Sequence, residues 1–430
     1  MTVYFYTLGC KVNQYESQAM GEALKKDGFE LCRDAKSADL IVVNSCTVTA
    51  ESSRKTRQAV RRFRSSNKNA VILLTGCMVQ SFPEEAEKMT EADIIVGNTD
   101  YDKIRGYVCD FFKNRSRIYD IKNHPNKGER YTDLSVSGFS EHTRAYMKIE
   151  DGCNRFCSYC IIPYARGRVR SRSVNEIREE ASRLAENGYK EIVLVGINLS
   201  SFGQDTGTEL CDAVEAVAEA EEIERVRLGS LECDQISDEA LDRLAKCKKF
   251  CPQFHLSLQS GCDKTLREMN RKYDTAFYRE FVERIRARFE NPSITTDIMV
   301  GFSGESEQDF EESRAFAESI GFARTHIFVY SVRKGTMAAG RKDKIELKVK
   351  QERSRRMQET ALSSEKKFLQ SQVGLVSNVL FEEVRDGAYE GYTENYTRVC
   401  VKTDCPIEGK ILPVRIISAR DDRCEGILDI

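Results

Sequence analysis

The chain has 430 residues, of which 40% are hydrophobic and 31% are charged, and its formal net charge is −2. This composition is typical of a soluble globular protein with roughly two to four domains. No apolar run approaches the about 20 residues that span a membrane, and the start does not resemble a signal peptide, so we expect a cytoplasmic protein with no membrane partner. In that compartment the 16 cysteines indicate metal ligands or core residues rather than disulfides.

The first part of the chain alternates apolar segments with helical patterns. The segments at 3–8, 40–45 and 71–76 are followed by Cys10, Cys46 and Cys77, and a fourth at 93–97 has no cysteine. Such alternation predicts an open parallel α/β sheet with both faces covered. Because parallel strands end at one edge of a sheet, we expect the three thiols to meet there. Three thiolates suit a [4Fe–4S] cluster with one open iron, and the alternative is three ordinary buried cysteines.

The sequence after residue 112 predicts three further segments. A polar stretch with Pro125 and Gly128 predicts a linker over residues 113–138, after a first domain of residues 1–112. Residues 139–370 contain six candidate strands separated by helical segments, which predicts a partial (β/α)6 barrel. Residues 371–430 contain short β segments and predict a small closed or nearly closed β-barrel. The expected fold class is therefore α/β, with a small β domain at the C-terminus.

A second group of cysteines lies in the loop after the first strand of the core. Cys153, Cys157 and Cys160 have CxxxCxxC spacing. Three thiolates hold three irons of a [4Fe–4S] cube and leave the fourth iron open. A structural zinc site is the alternative, but it takes four ligands and no fourth cysteine or histidine is near. Active sites lie in loops that follow barrel strands, so the pattern favours an iron–sulfur cluster.

The stretch from Cys153 to Arg172 resembles the radical-SAM methylthiotransferases, and the resemblance covers essentially the whole chain. It implies an N-terminal methylthiotransferase domain, a radical-SAM core and a C-terminal TRAM domain. It also implies that S-adenosylmethionine binds the open iron of the second cluster and yields a radical. Cys10, Cys46 and Cys77 are then ligands of the first cluster, which holds the sulfur. The residues matching the S-adenosylmethionine site are Gly196, Asn198, Ser257, Gln259 and Asp297.

Two motifs indicate the substrate by resemblance. Residues 8–17 (LGCKVNQYES) and 391–396 (GYTENY) resemble the MtaB subgroup, which acts at C2 of N6-threonylcarbamoyladenosine beside the tRNA anticodon, at position 37. The isopentenyladenosine subgroup usually has Gln-Met-Asn after the first cysteine, and the subgroup acting on a ribosomal-protein aspartate usually has Lys-Asn followed by Val-Asp-Ser. Those two substrates are the alternatives within the family. A non-catalytic iron–sulfur RNA-binding protein is the alternative of another class.

The resemblance implies three partners: a tRNA, a sulfur donor and a reductant such as flavodoxin or ferredoxin. The basic stretch 53–68 suits phosphate contacts or a solvated helix face. Tyr389, Tyr392 and Tyr396 suit base stacking or are ordinary strand residues. A pocket for the threonylcarbamoyl group needs a cation for its carboxylate, and arginine suits that task.

Overall fold

The computed structural model describes residues 1–124, 130–132, 134–138 and 143–429, which form three units in chain order. The first unit is a parallel six-stranded sheet with strand order β2-β1-β3-β4-β5-β6. Its elements are β1 (Thr2–Thr7), α1 (Lys11–Lys25), β2 (Glu30–Leu31), β3 (Leu40–Ser45), α2 (Ala50–Ser66), β4 (Val71–Gly76), α3 (Cys77–Ser81), α4 (Pro83–Glu87), β5 (Ile94–Val96), α5 (Ile104–Asn114) and β6 (Ile118–Asp120).

The central strands of this sheet are apolar on both faces because helices cover both sides. All six residues of β3 and of β4 are buried. Along β3, Leu40 and Val42 pack on the side of α1, whereas Ile41 and Val43 pack on the side of α2. Continuous apolar strands of this kind are typical of parallel sheets. The predicted covered α/β sheet is therefore confirmed.

The second unit is an open barrel of parallel strands, as predicted. Its two sheets have the orders β11-β10-β7 and β12-β13-β14-β15, and they meet where Val226 bridges Phe250. The elements are β7 (Arg144–Lys148), β8 (Glu150–Asp151), α6 (Ile162–Arg166), β9 (Arg170–Ser171), α7 (Val174–Glu186), β10 (Glu191–Val195), α8 (Leu210–Ala218), β11 (Arg225–Leu228), β12 (Ser230–Leu231), α9 (Asp238–Lys246), β13 (Gln253–Leu256), α10 (Asp263–Glu268), α11 (Thr275–Arg288), β14 (Ser293–Val300), α12 (Glu307–Ile320), β15 (Arg324–Val329) and α13 (Leu347–Ser371).

The third unit is a closed five-stranded barrel with strand order β16-β17-β18-β20-β19. Closure confirms the predicted small β-barrel and leaves no free strand edge. The sequence pattern had indicated only three of its strands, and those at 388–393 and 423–428 emerge from the structure. The strands are β16 (Val376–Arg385), β17 (Ala388–Thr393), β18 (Arg398–Val401), β19 (Ile411–Arg420) and β20 (Arg423–Leu428).

The predicted linker is partly ordered structure. Strand β6 falls within residues 113–138 and pairs with β5, because Ile118 and Tyr119 stand opposite Ile94 and Ile95. The first unit therefore extends past residue 112. Pro125 and Gly128, which had marked the linker, lie outside the described residues. Within the described ranges, no helix has the length and apolar character needed to cross a membrane.

Candidate functional site

The cysteines of the first unit follow three neighbouring strands. Cys46 comes directly after β3, Cys77 comes directly after β4, and Cys10 lies just beyond β1. Because β1, β3 and β4 are adjacent and parallel, the fold brings the three cysteines to one sheet edge. The cysteine-bearing strand ends can approach each other because a glycine precedes two of the cysteines. A Cβ on Gly9 would lie 3.1 Å from the Cys46 Cβ, and Gly76 has a φ of +97°, which favours glycine.

A buried network of charges joins this cysteine set to the second unit. The Arg166 Nε donates to the Cys77 sulfur at 3.1 Å, and its Nη2 donates to Glu16 at 2.9 Å. Lys148 Nζ donates to Glu16 at 2.7 Å and to Asp151 at 2.6 Å. All of these side chains are buried. Buried charges are stable only when each has partners, so the network fixes the cysteine edge against the barrel.

The second cysteine set lies in the loop between β8 and α6, where Cys153, Cys157 and Cys160 are each partly buried. Gly152 has a φ of +87°, and a Cβ there would lie 1.9 Å from a backbone oxygen of the segment preceding β9, so only glycine fits this turn. The Arg271 Nη1 lies 3.5 Å from the Cys157 sulfur. The loop is therefore held in place from two sides.

The spacing and burial of the two cysteine sets indicate which kind of metal centre they could hold. Among the described residues, three candidate ligand atoms lie within 4.8 Å of one another only at Cys262, Asp309 and Glu312. One tetrahedral zinc ion would hold its sulfur ligands about 3.8 Å apart, given a Zn–S distance of about 2.3 Å. In each cysteine set at least one pair of sulfur atoms therefore lies more than 4.8 Å apart, which is wider than the ligands of a single zinc ion. Burial raises the pKa of the Cys77 thiol to about 12, so a thiolate there needs the positive charge that metal ions supply.

The residues predicted to contact S-adenosylmethionine fall into two groups. Gly196 and Asn198 follow β10, and the Asn198 Nδ2 lies 3.8 Å from the nearest sulfur of the cysteine loop. Ser257 and Gln259 follow β13, where the Gln259 N–H donates to the Asp297 carbonyl at 2.8 Å. Asp297 itself lies in β14, and its carboxylate is 3.4 Å from a histidine in the wall of a large cavity. Gly196 lines the same cavity as Asp297, and the assignment of all five residues to the cofactor site stays a prediction.

Sequence reasoning missed Glu150, which is fully buried beside the second cysteine set. Its Oε2 accepts from the Asn198 N–H at 2.8 Å, and burial raises its pKa to about 8. Its Oε1 and the Asn198 Oδ1 have no hydrogen-bond partner among the described residues. A buried unpartnered acceptor is costly, so these two oxygens fit a ligand with an amino group. The only signal in the sequence was a carboxylate three residues before the first cysteine of the loop.

A cavity of 560 Å³ extends from the first cysteine set into the barrel. All three units contribute to its wall. The lining residues are Cys10, Lys11, Val12, Val195, Gly196, Arg227, Leu228, Gly229, Ser230, Gln253, His255, Thr295, Asp297, Arg324, His326, Phe328, Tyr392 and Tyr396. The cavity is therefore a partly open space between the strand ends and the third unit.

Two of the cations in the cavity wall have no acidic partner in the described part of the chain. Arg227 donates to Glu191 at 2.8 Å. Lys11 and Arg324 have no carboxylate within 4.0 Å among the described residues. Burial lowers the pKa of Lys11 and also that of His326. An acidic ligand group would supply the missing partner for a cation in this wall.

The turn between β17 and β18 closes the cavity at the amino-terminal ends of the barrel strands. Arg225 donates to the Tyr392 carbonyl at 2.9 Å, and Arg227 donates to the Glu394 carbonyl at 2.8 Å. The rings of Tyr392 and Tyr396 are stacked with centroids 4.5 Å apart. Tyr396 has a φ of +68°, a conformation that non-glycine residues adopt rarely. The third unit is therefore part of the cavity wall.

The sequence suggested RNA contacts by the basic stretch in α2 and by Tyr389. In α2, Arg57 pairs with Glu85 at 3.3 Å and Arg64 pairs with Asp93 at 2.5 Å. Arg57 and Arg64 thus have acidic partners, and phosphate contacts by the other basic residues of this stretch stay a prediction. Tyr389 packs edge-on against a phenylalanine of β16, as an ordinary strand residue does.

Comparison with known proteins agrees with this architecture. Residues 2–97 match the model described as "Uncharacterized protein family UPF0004", and residues 147–317 match the Radical SAM superfamily. The threonylcarbamoyladenosine tRNA methylthiotransferase MtaB of Bacillus subtilis (strain 168) is 37% identical, covering 99% of this chain and 96% of that protein. The protein of the same name from Thermotoga maritima is 36% identical over 92% of this chain and 90% of its own length.

A relative with another name is nearly as similar. A tRNA-2-methylthio-N(6)-dimethylallyladenosine synthase of Clostridium botulinum (strain Loch Maree / Type A3) is 33% identical, covering 98% of this chain and 96% of that protein. Among solved structures, the radical S-adenosylmethionine methyltransferase TsrM from Kitasatospora setae shares the fold, with a TM-score of 0.60, 13% identity and coverage of 79% of this chain and 77% of that one. Together with the two cysteine sets, these matches show that the chain belongs to the radical-SAM tRNA methylthiotransferase family.

Proposed function

We propose that this enzyme inserts a methylthio group at C2 of N6-threonylcarbamoyladenosine at position 37 of tRNA. Members of its family are methylthiotransferases that use two [4Fe–4S] clusters and S-adenosylmethionine. The observation that carries the choice of substrate is the cavity, because it joins Cys10 to cations without acidic partners. A base placed there meets the first cysteine set at one end and a cationic wall at the other.

We assign the two cysteine sets as the cluster ligands. Cys10, Cys46 and Cys77 hold the first cluster, and Cys153, Cys157 and Cys160 hold the second. When bound, the clusters and S-adenosylmethionine supply the radical and the sulfur that a poorly acidic C–H bond requires. The assignment is supported by the spacing of the sulfur atoms, which is wider than a single zinc ion would need, and by the burial of Cys77.

The chain's own residues bind and orient S-adenosylmethionine. Glu150 and Asn198 present two free acceptor oxygens beside the second cysteine set, and they suit the amino group of S-adenosylmethionine. Gly196 leaves space there, because a Cβ at this position would lie 2.7 Å from Glu150. We place Ser257 and Gln259 at the same strand ends, within the cofactor site.

The chemistry of the cavity separates the candidate substrates. The threonylcarbamoyl group carries a carboxylate and a hydroxyl, whereas the isopentenyl group is apolar. Lys11, Arg324, Gln253 and Thr295 give the cavity a polar and cationic wall. Gln253 already donates to Thr295 at 3.3 Å, but an apolar substituent would leave Lys11 and Arg324 without an acidic partner among the described residues, which is costly. The threonylcarbamoyl substrate is therefore the better fit.

The remaining partners follow from the reaction. Each turnover consumes a sulfur atom and electrons, so a sulfur donor and a reductant such as flavodoxin or ferredoxin must bind near the clusters. The third unit has seven Lys/Arg and eleven Asp/Glu over residues 371–430. A surface of that charge is poorly suited to phosphate contacts, so we assign the third unit mainly to shaping the cavity.

The test compares two RNAs with the same enzyme. Anaerobically reconstituted protein is given anticodon stem–loops that carry either the threonylcarbamoyl or the isopentenyl group, and the nucleosides are measured by mass spectrometry. We expect the 2-methylthio product only from the first RNA, because a polar site rejects an analogue that lacks the polar group. Equal turnover, or turnover of the isopentenyl RNA alone, contradicts the proposed substrate. Absence of 5′-deoxyadenosine would instead favour a non-catalytic RNA-binding protein.

A further inference from the structure

The two sequence motifs that indicate the substrate meet in the cavity. Lys11 belongs to the motif at residues 8–17, and Tyr392 and Tyr396 belong to the motif at residues 391–396. All three line the same cavity. Their meeting is a property of the tertiary structure, since the motifs lie at opposite ends of the chain.

Lys11 is the first residue of α1 and directly follows Cys10. Its side chain points along the barrel interior, with Nζ 5.5 Å from the centroid of the Tyr146 ring. Tyr396 and Arg227, at the far end of the cavity, are among its charged or polar neighbours. The lysine therefore spans the cavity from the cysteine edge towards the third unit.

The acidic group nearest to this part of the barrel is already occupied. Glu191 accepts from Arg227 at 2.8 Å and also lies 3.8 Å from Arg144 and 3.7 Å from Arg225. Arg144 also pairs with Glu382 at 2.6 Å, and Arg225 lies 3.5 Å from Glu394. Three carboxylates therefore face three arginines, and Lys11 is a fourth cation with no ion-pair partner among the described residues. The region has an excess of positive charge that an anionic ligand group would balance.

The position of the lysine next to Cys10 determines what it can reach. A substrate carbon that receives sulfur at the first cysteine set must lie at this end of the cavity. A lysine that follows Cys10 then points along the substituent of the same base. Arg324, the other cation without an acidic partner among the described residues, is the first residue of β15 and, unlike Lys11, does not adjoin a residue of the first cysteine set in the chain.

We propose that Lys11 binds the carboxylate of the threonylcarbamoyl group and selects the substrate, with the stacked Tyr392–Tyr396 pair forming the end wall of that subsite. This inference rests on the proposed function, because it assigns a residue to the substituent that the proposed substrate carries. It also names a lysine for the task that sequence reasoning had given to an arginine.

The experiment removes the negative charge from the RNA substituent and, separately, the positive charge from Lys11. Stem–loop RNAs carry either the threonylcarbamoyl group or its neutral methyl ester, and affinity and kcat/KM are measured with reconstituted full-length enzyme. The wild type should prefer the acid by about ten- to a hundredfold, the range expected for one hydrogen-bonded charge. In Lys11→Gln the preference should fall to about twofold or less, and in Lys11→Arg it should persist.

Two further variants make the comparison specific. Lys25→Gln removes an exposed lysine at the other end of α1 and should keep the wild-type preference. Arg324→Gln removes the other cation of the cavity wall, and the acid-over-ester preference should fall less in it than in Lys11→Gln. Iron content and 5′-deoxyadenosine formation without RNA are measured for each variant, so that damage to the neighbouring first cluster is seen directly. Affinity needs no turnover and therefore reports the contact even where a cluster is impaired.

The outcomes separate failure of the Lys11 inference from failure of the proposed function. An unchanged acid-over-ester preference in Lys11→Gln overturns the inference, as does loss of the preference in Arg324→Gln alone. A wild type that modifies the acid RNA but does not distinguish it from the ester also overturns it, while the proposed function stands. A wild type that modifies only isopentenyl RNA defeats the proposed function itself.

Discussion

Each cysteine set is accompanied by one buried arginine. Arg166 donates to the Cys77 sulfur, and Arg271 lies beside the Cys157 sulfur. Arg271 is in turn paired with Glu232. A cation that donates to a thiolate favours the charged form, and groups around a metal ligand tune the metal that it binds. At the scale of single residues, the two sites are therefore built in the same way on different folds.

The two cysteine sets should differ in what their loss abolishes. Cys157→Ala removes a ligand from the second set, so we expect no 5′-deoxyadenosine and loss of roughly half of the iron. Cys46→Ala should also lose roughly half of the iron and all methylthio product, but it should retain some cleavage of S-adenosylmethionine. Iron analysis and anaerobic cleavage assays measure both.

A buried cysteine outside the two sets is the matched control. Cys233 is buried in the second unit, and Cys233→Ala should keep full iron and full cleavage. Full iron content in Cys46→Ala would show that Cys46 is only a core residue. Cleavage at the wild-type rate in Cys157→Ala would remove the assignment of the second set.

At the scale of elements, the turn that leads from β4 into α3 determines where Cys77 points. Gly76 has a φ of +97°, and an added Cβ would lie 2.5 Å from the Ser45 carbonyl oxygen and from the Asn44 Oδ1. The neighbouring strand β3 supplies both contacts, so this glycine lets two cysteine-bearing strand ends approach each other. The same strand-to-turn geometry occurs at Gly9, before Cys10.

Gly76→Ala should therefore impair the first site and not only the stability of the chain. We expect loss of roughly half of the iron together with loss of methylthio product, because the turn must shift to relieve the clash. Gly28 is the matched control, since it also has a positive φ of +81° but has nothing within 4 Å of an added Cβ. Gly28→Ala should cost about 1 kcal/mol through backbone strain and keep full iron. Equal iron in both variants would contradict the role given to this turn.

At the scale of the whole molecule, buried contacts hold the three units together. The charge network around Glu16 joins the first unit to the barrel. The arginines at the start of β11 join the barrel to the third unit through backbone carbonyls. The cavity lies between these two junctions. Its shape therefore depends on all three units being docked.

Removing the charge of Glu16 should loosen the first junction. Glu16→Gln leaves Lys148 and Arg166 with less negative charge in a buried site, which costs about 3 kcal/mol and should lower the Tm by about 3 °C. The control is Glu352→Gln, which breaks an exposed pair with Arg355 on α13 and should shift the Tm by about 1 °C or less. Thermal unfolding followed by circular dichroism measures both. A shift in Glu16→Gln as small as that of the control would show that the network contributes little.

Much of the fold and the cysteine arrangement could be predicted because the signals are local. Continuous apolar runs predicted the parallel strands, and strand direction alone placed Cys10, Cys46 and Cys77 at one edge. The spacing of Cys153, Cys157 and Cys160 is contained in one loop. The closed β-barrel was expected as well, although two of its strands were not recognised because charged residues interrupt their apolar pattern.

The sequence by itself therefore determined the elements, the two cysteine sets and the family resemblance. Only the tertiary structure decided how residues from different units meet. Lys11 reaches towards Tyr396, and Arg166 binds Glu16, because units distant in the chain pack with particular faces together. Glu150 became a candidate only when its free oxygen was found beside Asn198. Local patterns carry no information on such pairings, since they depend on which side chains the packed units leave without partners.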